Sequence, residues 1–312
     1  MDLTKSPNGV NLVCFPAGTD SKVVLPNWLR TTAAATWRTS IHEVVPAIFA
    51  AVHLAPVARL FISYRQLEAA ELSEQLFEEL GKIGFDVYVD RFRGIPGANF
   101  QRRILEEIAH KSMVLFLETG TTASAPWTRY EAAVAKSLRV GLLALQLPGG
   151  NSIRDIDNGR RVRLRASDFK PGTQTLKTGP LHAVLERIKT DHTLNETRRR
   201  QLMRDNMRRA LARVGAHQQS VVASGAIHVV PNRKSSKEYL VSLPTRPAEL
   251  ADFYDAANNG TKPVVRAIIA PSAHFRDVRR EQMRWLSRLS DVRAFDEGAM
   301  LSIARQIKSE AL

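Results

Sequence analysis

Between Arg59 and Leu147 short apolar runs alternate with longer amphipathic segments, and this alternation limits the folds open to the chain more than any other feature. RLFISY (59–64), FDVYV (85–89), SMVLFLE (112–118) and VGLLALQL (140–147) are rich in β-branched, aliphatic and aromatic residues, as buried strands are. Between them, EAAELSEQLFEELGKIGF places Leu72, Leu76, Phe77 and Leu80 on one helical face and ends on Gly81 and Gly84. FQRRILEEIAHK predicts a second helix, and SAPWTRYEAAVAK (124–136) a third. Strands and helices joined by short connections build a parallel sheet covered on both faces, and such sheets bind ligands outside the carboxyl ends of their strands.

The remainder of the chain is read less sharply. Residues 1–56 suggest a strand at NLVCF and an apolar helix at 41–58. RRVRLRASDF predicts a further strand and PLHAVLERIKTDH a helix ending near His192. A second helix then carries an apolar stripe of Met203, Met207, Ala210, Leu211 and Val214 among many arginines. Beyond residue 220 the pattern predicts a smaller α/β unit, with strands near 220–231, 239–243, 264–269 and 292–295, a helix at 278–289 and a last helix ending near Lys308. The division expected is 1–56, 57–192 and 193–312.

Composition removes several classes. An apolar fraction of 44% with 24% charge argues against wholesale disorder. Cys14 is the only cysteine, so no internal disulfide framework is expected, which fits a cytoplasmic setting. The segment 41–58 carries Glu43, two histidines and two prolines, so a membrane span is not expected. The eight histidines lack metal-ligand spacing, His182 and His192 read as surface residues, and no metal is expected. The net charge of +14 is lopsided: residues 1–150 hold 15 Lys/Arg against 14 Asp/Glu, and residues 151–312 hold 30 against 17. Arg198, Arg199, Arg200, Arg204, Arg208, Arg209 and Arg213 therefore either contact nucleic-acid phosphates or face solvent and a neighbouring unit. Base-stacking aromatics are missing nearby, which favours the second.

The third helix poses the sharpest question. Pro126 suits a first helical position, and Trp127 and Glu131, four apart, share a face with small residues Ala132, Ala133 and Ala135. Ser124 reads as the helix cap. An indole and a carboxylate on a packed face form either one wall of a pocket or an ordinary packed ring beside a surface acid.

Taken in order, RLFISYR, GFDVYVDRFRGIPGANFQRRI, SMVLFLETGTTASAPWTRYEAAVA and VGLLALQLP resemble the boxes of a Toll/interleukin-1 receptor (TIR) domain of the bacterial kind, over residues 57–192. The resemblance implies a flavodoxin-like parallel sheet of about five strands, here with a smaller accessory α/β region beside it. It implies NAD+ glycohydrolase or ADP-ribosyl cyclase activity, with the W-x-x-x-E spacing falling on Trp127 and Glu131. Glu131 would be the catalytic carboxylate and Trp127 a wall of the nicotinamide–ribose pocket. Ser63, Tyr64, Arg65 and Ser124 would line the substrate site, together with Asp90, Arg91 and Phe100 around the mobile loop 91–97. Gln66 stands where a second arginine is common. NAD+ would be substrate, with no separate cofactor. The same resemblance implies assembly into a homo-oligomer or with a partner defence protein, in anti-phage defence or signalling.

One carboxylate suffices for that chemistry. Ordinary glycosidases need a second acid to protonate an alkoxide leaving group. Nicotinamide is already cationic in NAD+ and leaves neutral, so the remaining task is to stabilise a ribosyl oxocarbenium, which a single anion can do. The early turns of a helix favour that anion. The competing readings are a non-catalytic TIR scaffold and a nucleic-acid-binding sensor using the basic second half.

Overall fold

The computed structural model describes residues 13–16, 34–37, 58–89, 98–222, 224–258, 264–271, 281, 284–288 and 291–312. The apolar helix expected at 41–58 and the loop 91–97 lie outside them. Near the start, β1 (Val13–Pro16) pairs in parallel with β2 (Ala34–Trp37), a strand the sequence pattern did not announce.

Five parallel strands form the first sheet: β3 (Ala58–Ser63), β4 (Phe85–Val89), β5 (Met113–Glu118), β6 (Gly141–Gln146) and β7 (Arg161–Arg163), in the order β4-β3-β5-β6-β7. This is the flavodoxin-like order, with the direction of winding reversing between β3 and β5. The intervening helices are α1 (Gln66–Lys82), α2 (Ala98–His110) and α3 (Pro126–Ser137). Alternation along the central strands sends side chains to two separate cores. Leu60, Ile62, Leu115 and Leu143 pack with Leu72, Leu76 and Leu80 of α1 on one face. Phe61, Val114, Phe116 and Ala144 pack with Ile104 and Ile108 of α2 and Ala132 and Ala135 of α3 on the other. Each fully buried aliphatic side chain contributes roughly 1.5–3 kcal/mol, and the apolar runs of the sequence are continuous because both faces are covered. Two expected core positions face outward instead: Phe77 and Ala133 are exposed. Each sits one residue past its buried neighbour, about 100° around the helix. Gly84 adopts φ +88° at the turn after α1, a conformation that favours glycine.

The helix expected to end near His192 does not end there. A single helix, α4 (Thr178–Arg213), runs for 36 residues, about 54 Å at 1.5 Å per residue. No proline or glycine interrupts it between Leu181 and Arg213, so nothing local breaks it. Its first half buries Val184, Leu185 and Ile188 on the first sheet, and its second half buries Met203, Met207, Ala210 and Leu211 in a second core. His192 is correspondingly buried, not on the surface: its ring lies edge-on to Phe85 and its Nε2 is 2.6 Å from Ser112 Oγ.

The second core covers a mixed sheet, β8 (Gln218–Val221), β9 (Ile227–Val230), β10 (Tyr239–Ser242), β11 (Val265–Ala270) and β12 (Val292–Asp296), ordered β12-β11-β10-β9-β8. β8, β9 and β10 are antiparallel, and β10, β11 and β12 parallel. Among the described residues α5 (Leu250–Asn258) and α6 (Met300–Lys308) accompany it; of the helix expected at 278–289, residues 281 and 284–288 are described and helical, and the rest lies outside the described residues. The smaller α/β unit read from the sequence is thus present. α5 escaped that reading because it is short and buries only Phe253 and Ala256 while Leu250 and Tyr254 are exposed. The two units are clamped by Arg59 on β3, whose Nη1 and Nη2 both donate to the Glu249 carboxylate, the second at 2.9 Å. Hydrogen bonds from His110 and then Arg59 hold the Glu249 carboxyl well below its ordinary range.

Candidate active site

The last residue of β3 and the second turn of α3 meet in a polar contact inside the protein. Ser63 Oγ donates to Glu131 Oε2 at 2.5 Å, and the two residues are 1% and 0% exposed. Strand alternation explains the approach: Phe61 points to the core under α2 and α3, so Ser63, two residues on, points the same way. α3 begins at Pro126, which lacks an N–H in any case, and the helix buries Thr128, Glu131, Ala132 and Ala135 against the sheet. One turn before Glu131, the half-buried Trp127 packs on the same core, 5.3 Å from the Tyr130 ring at 37°. Phe61 and Tyr88, of the same core, stack 5.3 Å apart. Ring and acid therefore share a packed face, as their spacing predicted, and the acid does not face bulk water.

The other expected site residues fall differently. Tyr64 is 5% exposed and belongs to the opposite core with Leu60 and Ile62. The structure does not bring its side chain to Glu131. Arg65 starts α1, its carbonyl accepting from the Glu68 and Ala69 amides at 3.0 Å each, and its side chain is half-buried. Nearby, hydrogen bonds from Thr119 and Thr121 hold the Glu68 carboxyl below its ordinary range, with Arg65 adding a smaller effect. Ser124 does not cap α3. Ala125 occupies that position, and the exposed Ser124 Oγ donates to Thr121 O at 2.8 Å within a short 3-10 turn. Asp90 and Arg91 lie outside the described residues, as does the Phe100 side chain within α2.

One buried group the sequence reading missed supports this end of the sheet. Glu118, at the end of β5, accepts from Arg161 Nε at 2.6 Å, from Arg161 Nη2 at 3.0 Å and from the Ile153 amide at 2.7 Å. Arg161 also donates to the Ile153 and Ile156 carbonyls. The only sequence signal was a charged residue closing an otherwise apolar strand. Among the described residues no three metal-ligating side chains cluster, and no helix is long and apolar enough to cross a membrane.

Among solved structures, one similar to the chain is that of the activated Roq1 resistosome directly recognizing the pathogen effector XopQ, in its TIR domains. The two are 13% identical over 44% of this chain and 84% of that one, with a TM-score of 0.26. No curated protein matches the chain. The family model described as TIR domain matches residues 60–176. Ser63, Trp127 and Glu131 all fall within this matched stretch.

Proposed function

We propose that the TIR domain cleaves the bond between nicotinamide and ribose in NAD+, with Glu131 as the catalytic carboxylate. The observation that carries this reading is a fully buried glutamate, gripped by Ser63 Oγ at 2.5 Å and lying one helical turn from an indole at the carboxyl end of a parallel sheet. Open sheets of this kind bind ligands at that end, and a carboxylate inside the protein acts on developing charge more strongly than one in water.

In the proposed step the C1′–N bond breaks, its electron pair neutralises the pyridinium, and nicotinamide leaves. The positive charge developing on the ribose is stabilised by the Glu131 carboxylate. Water then adds to C1′ and releases a proton, giving ADP-ribose, or a nucleophile on the adenosine portion closes a cyclic product. Ser63 holds the carboxylate in one rotamer, so it is a positioning residue. Trp127 offers a flat face to the nicotinamide–ribose. Arg65, with Asp90, Arg91, Phe100 and Ser124, completes the pocket by the family resemblance, and assembly with a second copy or a partner protein is part of the same proposal. Consumption of NAD+ in a bacterial cell fits a role in defence or signalling.

Nicotinamide release from NAD+ by the concentrated chain, followed by chromatography, tests this. Wild type should release it, and Glu131→Ala and Glu131→Gln should each lower the rate by at least about a hundredfold, the size of a lost electrostatic contact at the reacting centre. Undiminished release by Glu131→Ala rejects the reading. An inert wild type alongside a cellular phenotype that survives Glu131→Ala favours the scaffold.

A further inference from the structure

A second site lies at the other end of the first sheet. A cavity of about 550 Å³ opens between the two units, lined by Arg59, His110, Lys111 and Ser112 of the TIR domain, by one face of α4, and by residues of the second unit. That volume is in the usual range for small-molecule sites, about 300–1,000 Å³. On the second unit the lining includes Ser242 to Arg246, the residues that end β10 and follow it. β10 is where the second sheet changes sense, parallel to β11 on one side and antiparallel to β9 on the other. β10 and β11 run parallel, and sheets of parallel strands bind ligands outside the carboxyl ends of those strands.

The charges in the cavity are unevenly matched. Arg246 is paired with Asp252 at 2.7 Å, and Arg200 lies 3.7 Å from Glu196, whose other bond is from Thr245 Oγ1 at 2.8 Å. Among the described residues Arg204, one turn along α4 from Arg200 on the same face, forms no ion pair, and its buried Nε has no hydrogen-bond partner. Its Nη2 lies close to Gly225, 3.6 Å from where a Cβ would stand. Burial first, and then the neighbouring Arg204 and Arg246 guanidiniums, pull Arg200 below the ordinary arginine range despite Glu196. Cations that repel one another in a part-enclosed space are relieved by an anion.

We infer that this cavity binds a nucleoside diphosphate, its phosphates on Arg200 and Arg204 and its ribose hydroxyls toward the Asp255 carboxylate, which also lines it. Guanidinium forks match phosphate oxygens two at a time, and two arginines suit two phosphates. The exposed arginines Arg208, Arg209 and Arg213 take no part. Because the lining comes from both units, the bound nucleotide bridges them, and this site is independent of the reading of Glu131.

Calorimetric titration of the full chain with ADP at low salt tests the inference. One site is expected, weakened by salt, with inorganic phosphate and adenosine each binding at least about tenfold more weakly. Arg204→Glu should weaken ADP by at least about tenfold, while Arg208→Glu, on the exposed face of α4, and Glu131→Ala leave it unchanged. If Arg204→Glu does not fold, Arg204→Gln removes the charge and is read the same way. Absence of ADP binding, wild-type affinity in the Arg204 variant, loss of binding in Glu131→Ala, or phosphate binding as tightly as ADP would each overturn it.

Discussion

Glu118 and Arg161, 43 residues apart, form a two-pronged ion pair inside the protein, Nε to Oε2 at 2.6 Å and Nη2 to Oε1 at 3.0 Å. The carboxylate is 0% exposed and the arginine 8%, and the guanidinium also donates to the Ile153 and Ile156 carbonyls and to Asn158 Oδ1. A charge this deep is tolerated only while its partner is present. Arg161→Ala should therefore destabilise folding by about 3–5 kcal/mol, more than a surface arginine such as Arg208 changed to alanine, in urea titrations of both. Equal stability of the two variants would show the pair to be dispensable.

The same corner depends on a glycine. A Cβ at Gly150 would stand 2.2 Å from Glu118 O and 2.8 Å from Leu147 O, both backbone atoms that cannot swing aside. Gly150→Ala should cost about 1–3 kcal/mol by forcing the β6–β7 connection away from β5. A thermal melt matching wild type would refute this.

Ser63→Ala should leave the fold intact and lower nicotinamide release by about ten- to a hundredfold, the scale on which a catalytic group held about 1 Å out of place loses rate. The effect should fall on kcat, because Ser63 touches the carboxylate, while Trp127→Ala should raise KM as well. Equal kcat in Ser63→Ala and wild type would remove the positioning role.

His192 gives a pH dependence of stability. Burial lowers its pKa, outweighing the pull of Glu196. Ser112 Oγ spends its hydrogen on Arg59 O at 2.8 Å, so His192 donates from Nε2. With the folded pKa below the unfolded one, the unfolded chain takes up the proton first. Stability is thus undiminished above about pH 6.5 and falls as pH drops below it. Glu249 acts separately: its depressed pKa supplies stability above the ordinary carboxyl range that is lost as pH falls through that range. Denaturant midpoints between pH 7.5 and 5.5 should decline in wild type and stay flatter in His192→Gln. Parallel curves would contradict the assignment.

What the sequence determined by itself was local and periodic. Four apolar runs between glycine-bearing turns required strands covered on both faces, and the four-residue spacing of Trp127 and Glu131 placed ring and acid on one helical face. The stripe from Met203 to Leu211 likewise named the face of α4 that is buried. Tertiary structure decided what depends on residues far apart in the chain. Ser63 meets Glu131 across 68 residues because β3 and α3 pack on the same core, and no periodicity encodes that pairing. Tyr64 went to the opposite core and His192 to the interior for the same reason: a side chain's surroundings are set by which neighbouring elements close over it. The arginines of α4 look alike in sequence, yet Arg204 lines a cavity and Arg208 faces solvent, because the second sheet covers one face of a continuous helix and leaves the other bare.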